Sequence, residues 1–482
     1  MNWQRIAHLS QEDIVRMQNT KLRSFIRHHL MYSPYYRALF KKYDFSPADI
    51  QTTDDLVKLP FTTKEDLAPR ADDAARPREF ILQPDEQLIK TYASKSLLLK
   101  LFWDRLRGQD VKKRLEWEYK PIHLHFTTGR TALPTPFGYT ACDLETLKET
   151  GTRLLDVTGI SHEEVGINAF PYSPHLAFWL TYYAMTNALM MSLATGGGKV
   201  MGTQKIIDAI ERLKAGLVAF IPGYCYHLLR EAARQKRDFS SLKYILFGGE
   251  RVSQGLREKV RELLRSLGAR DVKILATYAM TESKTAWIQC AENSGYHLYP
   301  DLEFIELVDE EGRRVKEGKG EVVYTALDWR GSVVVRYKTG DLAQGIDDGA
   351  CPSCGRTVPR IIADIQRSSD VREFHLTKVK GELVNLNSFY PLLSGTKELE
   401  EWQVVIRKKN NDPFDIDEIV VSVSLKPGVK ADSFLPVLAK STQSEIGVGV
   451  TVQERPLNDL LCSLGMETEL KEKRICDERP RI

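Results

Sequence analysis

The sequence predicts an α/β protein in which a large N-terminal domain of helix-covered sheets, residues 1–364, precedes a small mobile α+β domain, residues 365–482. Three observations support this prediction. The 482 residues exceed the roughly 250–300 that one hydrophobic core usually supports. Helix and strand patterns alternate through the middle of the chain, which is typical of parallel sheets covered by helices. The tail instead combines strand patterns with intervening helical segments.

Each element of the middle region has its own local pattern. Residues 203–215 place isoleucines at helical spacing, and a glycine then ends the helix. The run LVAFIP, residues 217–222, predicts a buried strand. A second strand is expected at 242–247, followed by a helix that Ser253 caps. A third strand is expected at 272–276, so the order is that of helix-covered parallel strands.

Strand patterns dominate the C-terminal third of the chain. EVVYTAL at residues 321–327 and SVVVRY at residues 332–337 predict two strands of the large domain. In the tail, runs rich in valine and isoleucine predict strands at 404–408, 418–425 and 448–454. Helical segments separate these strands, which makes the tail a small α+β domain.

The composition excludes several classes of protein. Apolar residues make up 42% and charged residues 28%, as in ordinary globular proteins, and the net charge of +3 gives no global field for nucleic acid. The first ten residues lack a secretory signal core, and polar residues interrupt the apolar stretch 176–194. Seven cysteines do not suggest a disulfide scaffold. We therefore expect a soluble, cytoplasmic protein without a transmembrane segment or a nucleic-acid partner.

The loop TTGRTALPTPFGYT, residues 127–140, combines hydroxyl side chains, a glycine and a basic residue before a strand. Such loops present hydroxyl and backbone N–H groups to phosphate oxygens. A single loop of this kind is also compatible with an ordinary surface turn. It resembles the SSGTTGKPTVVGYT-type loop of phenylacetate–CoA ligases, except that Ala132 and Leu133 replace the second glycine and the lysine.

Further segments extend this resemblance over nearly the whole chain. Their order and spacing are those of acyl-adenylate-forming enzymes, and several short motifs in the right order are more specific than any one of them. GGE and TYAMTE directly follow predicted strands, where ligands bind in open α/β sheets. The segments are SPYYRALF (33–40), LPFTTKEDL (59–67), YILFGGE (244–250), TYAMTES (277–283), VVVRYKTGDLA (333–343) and IQRSSD (365–370).

The resemblance implies that an aromatic or fatty carboxylic acid is activated with ATP and Mg²⁺ as an acyl adenylate and then transferred to a thiol. Coenzyme A is the first acceptor to consider. A protein thiol is the alternative, because the tail segment 378–393 departs from the family's sequence. A degenerate nucleotide-binding homologue is a third interpretation, which Ala132, Leu133 and Ser369 support. A homodimer is one compatible assembly.

The resemblance also assigns ATP-binding residues in the loop. Arg130 can replace the missing lysine, because a guanidinium pairs with phosphate in bidentate fashion. The residues expected to cradle the β- and γ-phosphates are Thr127, Thr128, Gly129, Arg130 and Thr131.

Other ATP contacts are assigned in the later motifs. Thr281 would contact the α-phosphate and Glu282 would bind Mg²⁺, although Glu282 can also be read as a helix N-terminal carboxylate. Asp341 would accept the ribose hydroxyls, with a plain turn aspartate as the alternative. The remaining contacts would be Gly249 and Glu250 along the adenine, Tyr278 stacked on it and Arg367 at the ribose.

The C-terminal sequence ELKEKRICDER, residues 469–479, resembles the GKAKRVIDLR ending that carries the family's catalytic lysine. Lys471 aligns with that lysine, and Leu470 replaces the glycine before it. The ammonium of Lys471 would offset charge on the carboxylate and the α-phosphate; a basic tail without a role is the alternative. Ser369 takes the hinge position about which the small domain would turn between half-reactions.

A separate pattern indicates a metal. CPSCG, residues 351–355, is a CxxC knuckle, so Cys351 and Cys354 can join Cys290 and His297 upstream. Three cysteines and one histidine are an accepted structural zinc set, and similar sets occur in the resembled family. Reduced free cysteines are the alternative. A redox dithiol is disfavoured, because no thioredoxin-like βαβ pattern surrounds this CxxC.

Aromatic side chains are expected to bind the acid, although core packing alone would explain most of them. The expected pocket residues are Phe170, Tyr172, His175, Phe178 and Tyr224.

Residues 79–124 look like an insertion relative to the resembled family. They include SKSLLLKLFWDRLRG, residues 94–108, which can form an amphipathic helix. This helix either docks on the domain or faces a partner or a membrane surface.

Overall fold

The computed structural model describes residues 2–70, 72–127, 135–250, 252, 254–315, 318–362, 365–367, 376–379, 382–408, 417–465 and 472–479. These residues form two compact units. Unit 1 comprises Met1–Asn168, Tyr172–Ala194 and Leu275–Ile365, and unit 2 comprises Ala169–Pro171, Thr195–Ile274 and Gln366–Ile482. The predicted division into a large and a small domain at residue 365 stays a prediction.

The helices are distributed along the whole chain. They are α1 (Trp3–Ile6), α2 (Gln11–His28), α3 (Pro34–Lys42), α4 (Lys64–Leu67), α5 (Glu86–Tyr92), α6 (Lys95–Leu106), α7 (Val111–Tyr119), α8 (Ala141–Thr158), α9 (Leu176–Asn187), α10 (Gly198–Met201), α11 (Thr203–Arg212), α12 (Pro222–Arg234), α13 (Gln254–Ser266), α14 (Phe389–Gly395), α15 (Ala431–Ile446) and α16 (Leu457–Leu464).

The strands alternate with these helices and become denser toward the C-terminus. They are β1 (His123–Phe126), β2 (Pro136–Tyr139), β3 (Gly166–Asn168), β4 (Ser192–Ala194), β5 (Leu217–Phe220), β6 (Tyr244–Phe247), β7 (Lys273–Met280), β8 (Thr285–Ile288), β9 (Tyr296–His297), β10 (Glu303–Val308), β11 (Arg314–Val315), β12 (Gly320–Ala326), β13 (Tyr337–Ala343), β14 (Ile346–Asp347), β15 (Arg360–Ile361), β16 (Gln366–Arg367), β17 (Leu376–Val379), β18 (Glu382–Asn385), β19 (Leu399–Lys408), β20 (Asp417–Leu425), β21 (Val450–Glu454) and β22 (Ile475–Asp477).

The sheets of unit 1 are mostly antiparallel. Its central sheet has the order β11-β10-β12-β13, and every residue of β12 is buried. β9, β15 and β14 form a smaller antiparallel sheet, and β7 pairs antiparallel with β8. β3 and β4 pair in parallel. Helix α8 begins at a capping box of Thr140 and Asp143, which satisfies the first free N–H groups of the helix.

Unit 2 contains parallel pairing and a compact tail sheet. β5 and β6 pair in parallel, and the helices α12 and α13 pack against each other. In the tail the sheet order is β21-β20-β19-β22, with one antiparallel and two parallel pairings. Buried residues such as Trp402, Val404 and Ile406 fill its core together with α14 and α15. The predicted α/β class is confirmed, as are the three tail strands, with longer bounds for the first two.

One predicted strand is wrong. SVVVRY does not form a strand: Ser332 makes an isolated bridge to Ile81, and β13 begins only at Tyr337. The N–H of Val333 donates to the carbonyl of Phe80 at 3.0 Å, outside any ladder with β12. The three valines of this segment are buried, so their strand-like composition reflects core packing.

A second prediction needs correction. The third predicted strand does not end at residue 276, because β7 continues to Met280. The first four residues of TYAMTES therefore lie within the strand, and only the last three form the turn after it. The reason is that β8 pairs with Thr277–Met280 and prolongs the ladder. In contrast, GGE directly follows β6, as predicted. The helix cap at Ser253 lies outside the described residues.

The insertion folds into the short helices α5, α6 and α7. In α6 Leu99, Phe102, Trp103 and Leu106 are exposed and Asp104 is buried. Whether the helix docks on the domain or faces a partner or a membrane surface stays a prediction. Among the described residues, no helix combines the length and apolar character needed to cross a bilayer. The cytoplasmic location stays a prediction.

Candidate functional site

The predicted phosphate loop joins the antiparallel strands β1 and β2 of unit 1. At its base, the N–H of Thr127 donates to the carbonyl of Thr135 at 3.0 Å. The N–H of Thr135 donates to Oγ1 of Thr127 at 3.1 Å. The strands therefore fix where the loop begins and ends. The other expected phosphate ligands lie outside the described residues: Thr128, Gly129, Arg130 and Thr131.

The residues expected at the α-phosphate and the magnesium ion lie in the turn Thr281–Ser283, directly after β7. Oγ1 of Thr281 donates to the carbonyl of Phe126, the last residue of β1, at 3.4 Å. The hydroxyl of Tyr337, the first residue of β13, donates to Oε1 of Glu282 at 2.9 Å. The turn is thus held from two sides, and its hydroxyl and carboxylate lie beside the strand that leads into the phosphate loop.

A buried ion pair fixes the end of this turn. Lys284 has a left-handed φ of 59° and a fully buried side chain. Its Nζ lies 2.8 Å from Oδ2 of Asp143 at the start of α8. The same carboxylate accepts the N–H groups of Arg330 (2.8 Å) and Gly331 (2.7 Å). Burial lowers the pKa of Lys284, and the charge of Asp143 opposes this effect.

Sequence reasoning missed both residues of this ion pair. The only available clue is that Lys284 directly follows the TES of the motif. Nothing in the sequence connects it to Asp143, which lies 141 positions earlier.

Asp341 lies at a bulge of β13. Glu321 and Val323 of β12 pair with Leu342 and Lys338, so the three residues between these two positions of β13 form a bulge. Gly340, within the bulge, has a φ of 74°. Bulges commonly redirect a side chain next to a functional site. Here Oδ2 of Asp341 accepts a hydrogen bond from the hydroxyl of Tyr278 at 2.8 Å. The ribose and adenine contacts assigned to these two residues stay predictions.

The GGE motif belongs to unit 2. The N–H of Gly248 donates to the carbonyl of Phe220 at 3.1 Å, which continues the β5–β6 pairing. Gly249 has a φ of 87°, and no atom lies within 4 Å of where its Cβ would be. The backbone conformation therefore favours glycine at this position. Oε1 of Glu250 accepts the N–H of Glu472 at 3.4 Å.

Glu472 packs where the tail meets the GGE turn within unit 2. Its side chain is 9% exposed, and its carboxylate lies against Gly223 at the start of α12. It pairs with Arg474, whose Nη1 lies 2.5 Å from Oε1 of Glu401. Burial raises the pKa of Glu472 to about 8; Glu250 and Glu401 act in the same direction, while Arg474 opposes them.

The structure describes no side chain for three residues to which a role was assigned. Lys471 and the hinge residue Ser369 lie outside the described residues, and Arg367 is described only as the last residue of β16. Their roles stay predictions. Sequence reasoning did not single out Glu472, although it directly follows Lys471 and replaces the alanine of the GKAKR ending.

The aromatic residues expected around the acid fall in both units. In unit 1 the rings of Tyr172 and Phe178 are edge to face, with centroids 5.3 Å apart. Nδ1 of His175 lies 3.0 Å from the carbonyl of Phe126, to which it can donate. In unit 2 Phe170 is buried, and so is Tyr224. Their assignment to one acid pocket stays a prediction.

The four predicted metal ligands converge in unit 1. Their ligand atoms all lie within 4.8 Å of one another. The sulfur atoms of Cys290 and Cys351 are 3.6 Å apart, and Sγ of Cys354 lies 3.3 Å from Nε2 of His297. Nδ1 of His297 lies 3.3 Å from the carbonyl of Ile288, so Nε2 faces the sulfur atoms. This is the geometry in which a second contact orients a ligating imidazole.

A tight turn brings the two cysteines of the CxxC together. The N–H of Cys351 donates to the carbonyl of Arg356 at 2.7 Å, and the N–H of Gly355 donates to the carbonyl of Cys351 at 2.8 Å. Gly355 has a φ of 73°, which favours glycine. Three thiols and one imidazole fit a tetrahedral zinc ion.

The chain is similar to known proteins. Residues 121–326 match the family model described as AMP-binding enzyme. A phenylacetate–coenzyme A ligase of Thermus thermophilus is 26% identical over 428 residues, which cover 86% of this chain and 83% of the relative. One from Escherichia coli is 25% identical over 374 residues, covering 76% and 74%.

A solved structure has the same fold. It is a 2-hydroxyisobutyryl-CoA ligase in complex with 2-HIB-AMP, which aligns with a TM-score of 0.76 at 21% identity over 99% of this chain and 92% of that chain. Together with the family match and these relatives, this makes the chain an adenylate-forming enzyme. Within that class it is phenylacetate–coenzyme A ligase-like, an AMP-forming acid–thiol ligase. The predicted resemblance and enzyme class are confirmed.

Proposed function

We propose that this enzyme activates an apolar carboxylic acid, aromatic or fatty, as its acyl adenylate and transfers the acyl group to coenzyme A. The arrangement of Thr281 and Glu282 carries the proposal. Phe126 and Tyr337 hold them beside the strand that leads into the phosphate loop, which supports a hydroxyl for the α-phosphate and a carboxylate for Mg²⁺ at this turn. The relatives named phenylacetate–coenzyme A ligases support an aromatic acid as the first substrate class.

In the first half-reaction, a carboxylate oxygen of the acid attacks the α-phosphorus of ATP, and the bond to the β-phosphate breaks. Thr281 would bind an α-phosphate oxygen through its hydroxyl. Glu282 offers the oxygen ligands that Mg²⁺ prefers, and that ion would neutralise phosphate charge. Arg130 would bind the departing pyrophosphate. Asp341, held by Tyr278, would orient the ribose.

The second half-reaction forms the thioester. The sulfur of coenzyme A attacks the acyl carbonyl carbon, and AMP leaves. Lys471 would stabilise charge in the first step only, because the small domain would turn about Ser369 before the second. The contacts of Glu472 with Glu250 and Gly223 support this assignment, because they anchor the residue after Lys471 at the GGE turn.

A structural zinc ion is part of the proposal. Three thiols and Nε2 of His297 supply a complete donor set, and the contact of Nδ1 with a backbone carbonyl fixes the ring. Zinc bound by Cys290, His297, Cys351 and Cys354 would stabilise unit 1 without taking part in the chemistry.

The test is to incubate the enzyme with ATP, Mg²⁺, coenzyme A and radiolabelled carboxylic acids, phenylacetate and a fatty acid among them. We expect the label to appear in a coenzyme A thioester. Label on a protein thiol would instead support the acyl-protein synthetase alternative. ATP binding without turnover of any acid would support a degenerate homologue.

A further inference from the structure

Helix α6 of the insertion exposes an apolar face. Five large apolar side chains on this helix are between 38% and 61% exposed, whereas most large apolar side chains elsewhere are buried. Contiguous apolar patches of this kind usually mark interaction sites. The five are Leu98, Leu99, Phe102, Trp103 and Leu106.

The exposed residues form one face. At about 100° per residue, they occupy a sector of about 140° on the helix surface. Asp104, the buried residue of α6, lies on the opposite side and pairs with Arg114 of α7 at 2.6 Å. The side of α6 that carries Asp104 and the half-buried Leu97 and Leu101 therefore faces the protein, and the five exposed apolar side chains lie on the other side.

Basic residues border this face. Lys100 and Arg107 flank one edge of the apolar sector, and Arg105 flanks the other. Residues 95–114 contain seven basic and two acidic residues, a net charge of +5, whereas the entire chain carries only +3. A helix with leucine and aromatic residues on one side and lysine or arginine at the borders is typical of helices that lie in a lipid interface.

We propose that α6 docks the enzyme on the surface of an anionic lipid bilayer, with Phe102 and Trp103 inserted at the level of the headgroups. The basic border complements anionic headgroups, and the aromatic and leucine side chains suit the boundary with the acyl chains. A second copy of the chain is a poorer occupant, because two segments of like charge would then face each other. This inference does not depend on the identity of the acid.

Vesicle co-sedimentation tests the proposal. We expect the full-length enzyme to bind vesicles of equal parts phosphatidylcholine and phosphatidylglycerol, and to bind phosphatidylcholine vesicles weakly. Added salt should weaken the binding, because charge attraction contributes to it. The double variant Phe102→Ser/Trp103→Ser should reduce binding at least about tenfold, since two inserted rings are lost.

The control is Val437→Ser, which changes an exposed apolar residue of α15 in unit 2. It should bind anionic vesicles like the wild type, and both variants should keep wild-type acyl-adenylate formation in vesicle-free solution. Absence of wild-type binding to anionic vesicles at low salt would overturn the proposal. So would a concentration-dependent dimer that the Phe102/Trp103 variant abolishes, because a second copy would then cover the face.

Discussion

The carboxylate of Glu472 lies directly against the backbone of Gly223: a Cβ added to Gly223 would stand 1.0 Å from Oε1 of Glu472. Gly223 is the second residue of α12, and Glu472 directly follows Lys471 in the sequence. The absence of a side chain at Gly223 therefore allows the tail to pack at the GGE turn.

Replacing Gly223 by alanine should impair acyl-adenylate formation without lowering the melting temperature. Alanine favours a helix by up to about 1 kcal/mol over glycine, so the melting temperature should not fall by itself. The new methyl group would displace Glu472, and acyl-adenylate formation should drop by about 10²-fold, as expected when a catalytic group is misplaced by about an ångström. Pyrophosphate exchange and calorimetry measure the two effects.

Gly395→Ala is the matched control, because it adds a methyl group to another helical glycine of unit 2 with no atom within 4 Å. It should leave exchange unchanged. Thioester formation from supplied acyl adenylate should survive in both variants. Wild-type exchange by Gly223→Ala would show that the packing of Glu472 has no part in adenylation.

The pH dependence of adenylation should follow Glu472. Its pKa rises from 4.5 to about 8 where the tail is packed, with Arg474, Glu250 and Glu401 as the charged neighbours. The packed tail therefore holds a proton on Glu472 that the unpacked tail releases. This contribution to packing is fully present below 4.5, the ordinary pKa of the side chain, and it is lost as the pH rises through about 8. Exchange should decline between about pH 7 and 9. Glu472→Gln, which keeps the shape without the charge, should flatten that decline, and an unchanged pH profile would refute this account.

Removal of the Lys284 charge should cost stability. Lys284→Met would leave the Asp143 carboxylate buried without its cation, which typically costs about 3–5 kcal/mol. The free energy of unfolding in urea measures the loss. Lys148→Met is the control, since Lys148 forms an exposed ion pair on α8. Equal stability of the two variants would contradict a structural role for the buried pair.

The cysteine and histidine cluster should hold about one equivalent of zinc. Cys351→Ser should lower the melting temperature more than it changes turnover at saturating substrate, because the metal stabilises the fold. Cys462→Ser is the control, since Cys462 is exposed and outside the cluster. Metal analysis of protein never exposed to chelator would exclude the site if it found only traces of zinc.

The motifs predicted the class of enzyme because each is a short contiguous run. Contacts between distant segments could not be predicted in the same way. Nothing local connects Lys284 with Asp143, or Glu472 with Gly223. The Cys/His cluster was predictable, because its chemistry is carried by four ligands of two rare residue types that suit one metal.

The wrong strand prediction at SVVVRY has a physical cause. Composition indicates burial more reliably than it indicates backbone pairing. The valines of SVVVRY are buried, but their backbone makes separate hydrogen bonds to Phe80, Tyr36 and Ala326 instead of a continuous ladder with β12.

The most direct test of the central claim is acid-dependent exchange of labelled pyrophosphate into ATP, measured for the wild type and Asp341→Ala. The wild type should catalyse exchange only when a suitable carboxylic acid is present. Asp341→Ala should weaken ATP binding by about 1.5–3 kcal/mol, because a charge-assisted hydrogen-bond acceptor is lost. Failure of the wild type to exchange with any acid at saturating Mg²⁺ and ATP would contradict the account, as would an Asp341→Ala variant with wild-type affinity for ATP.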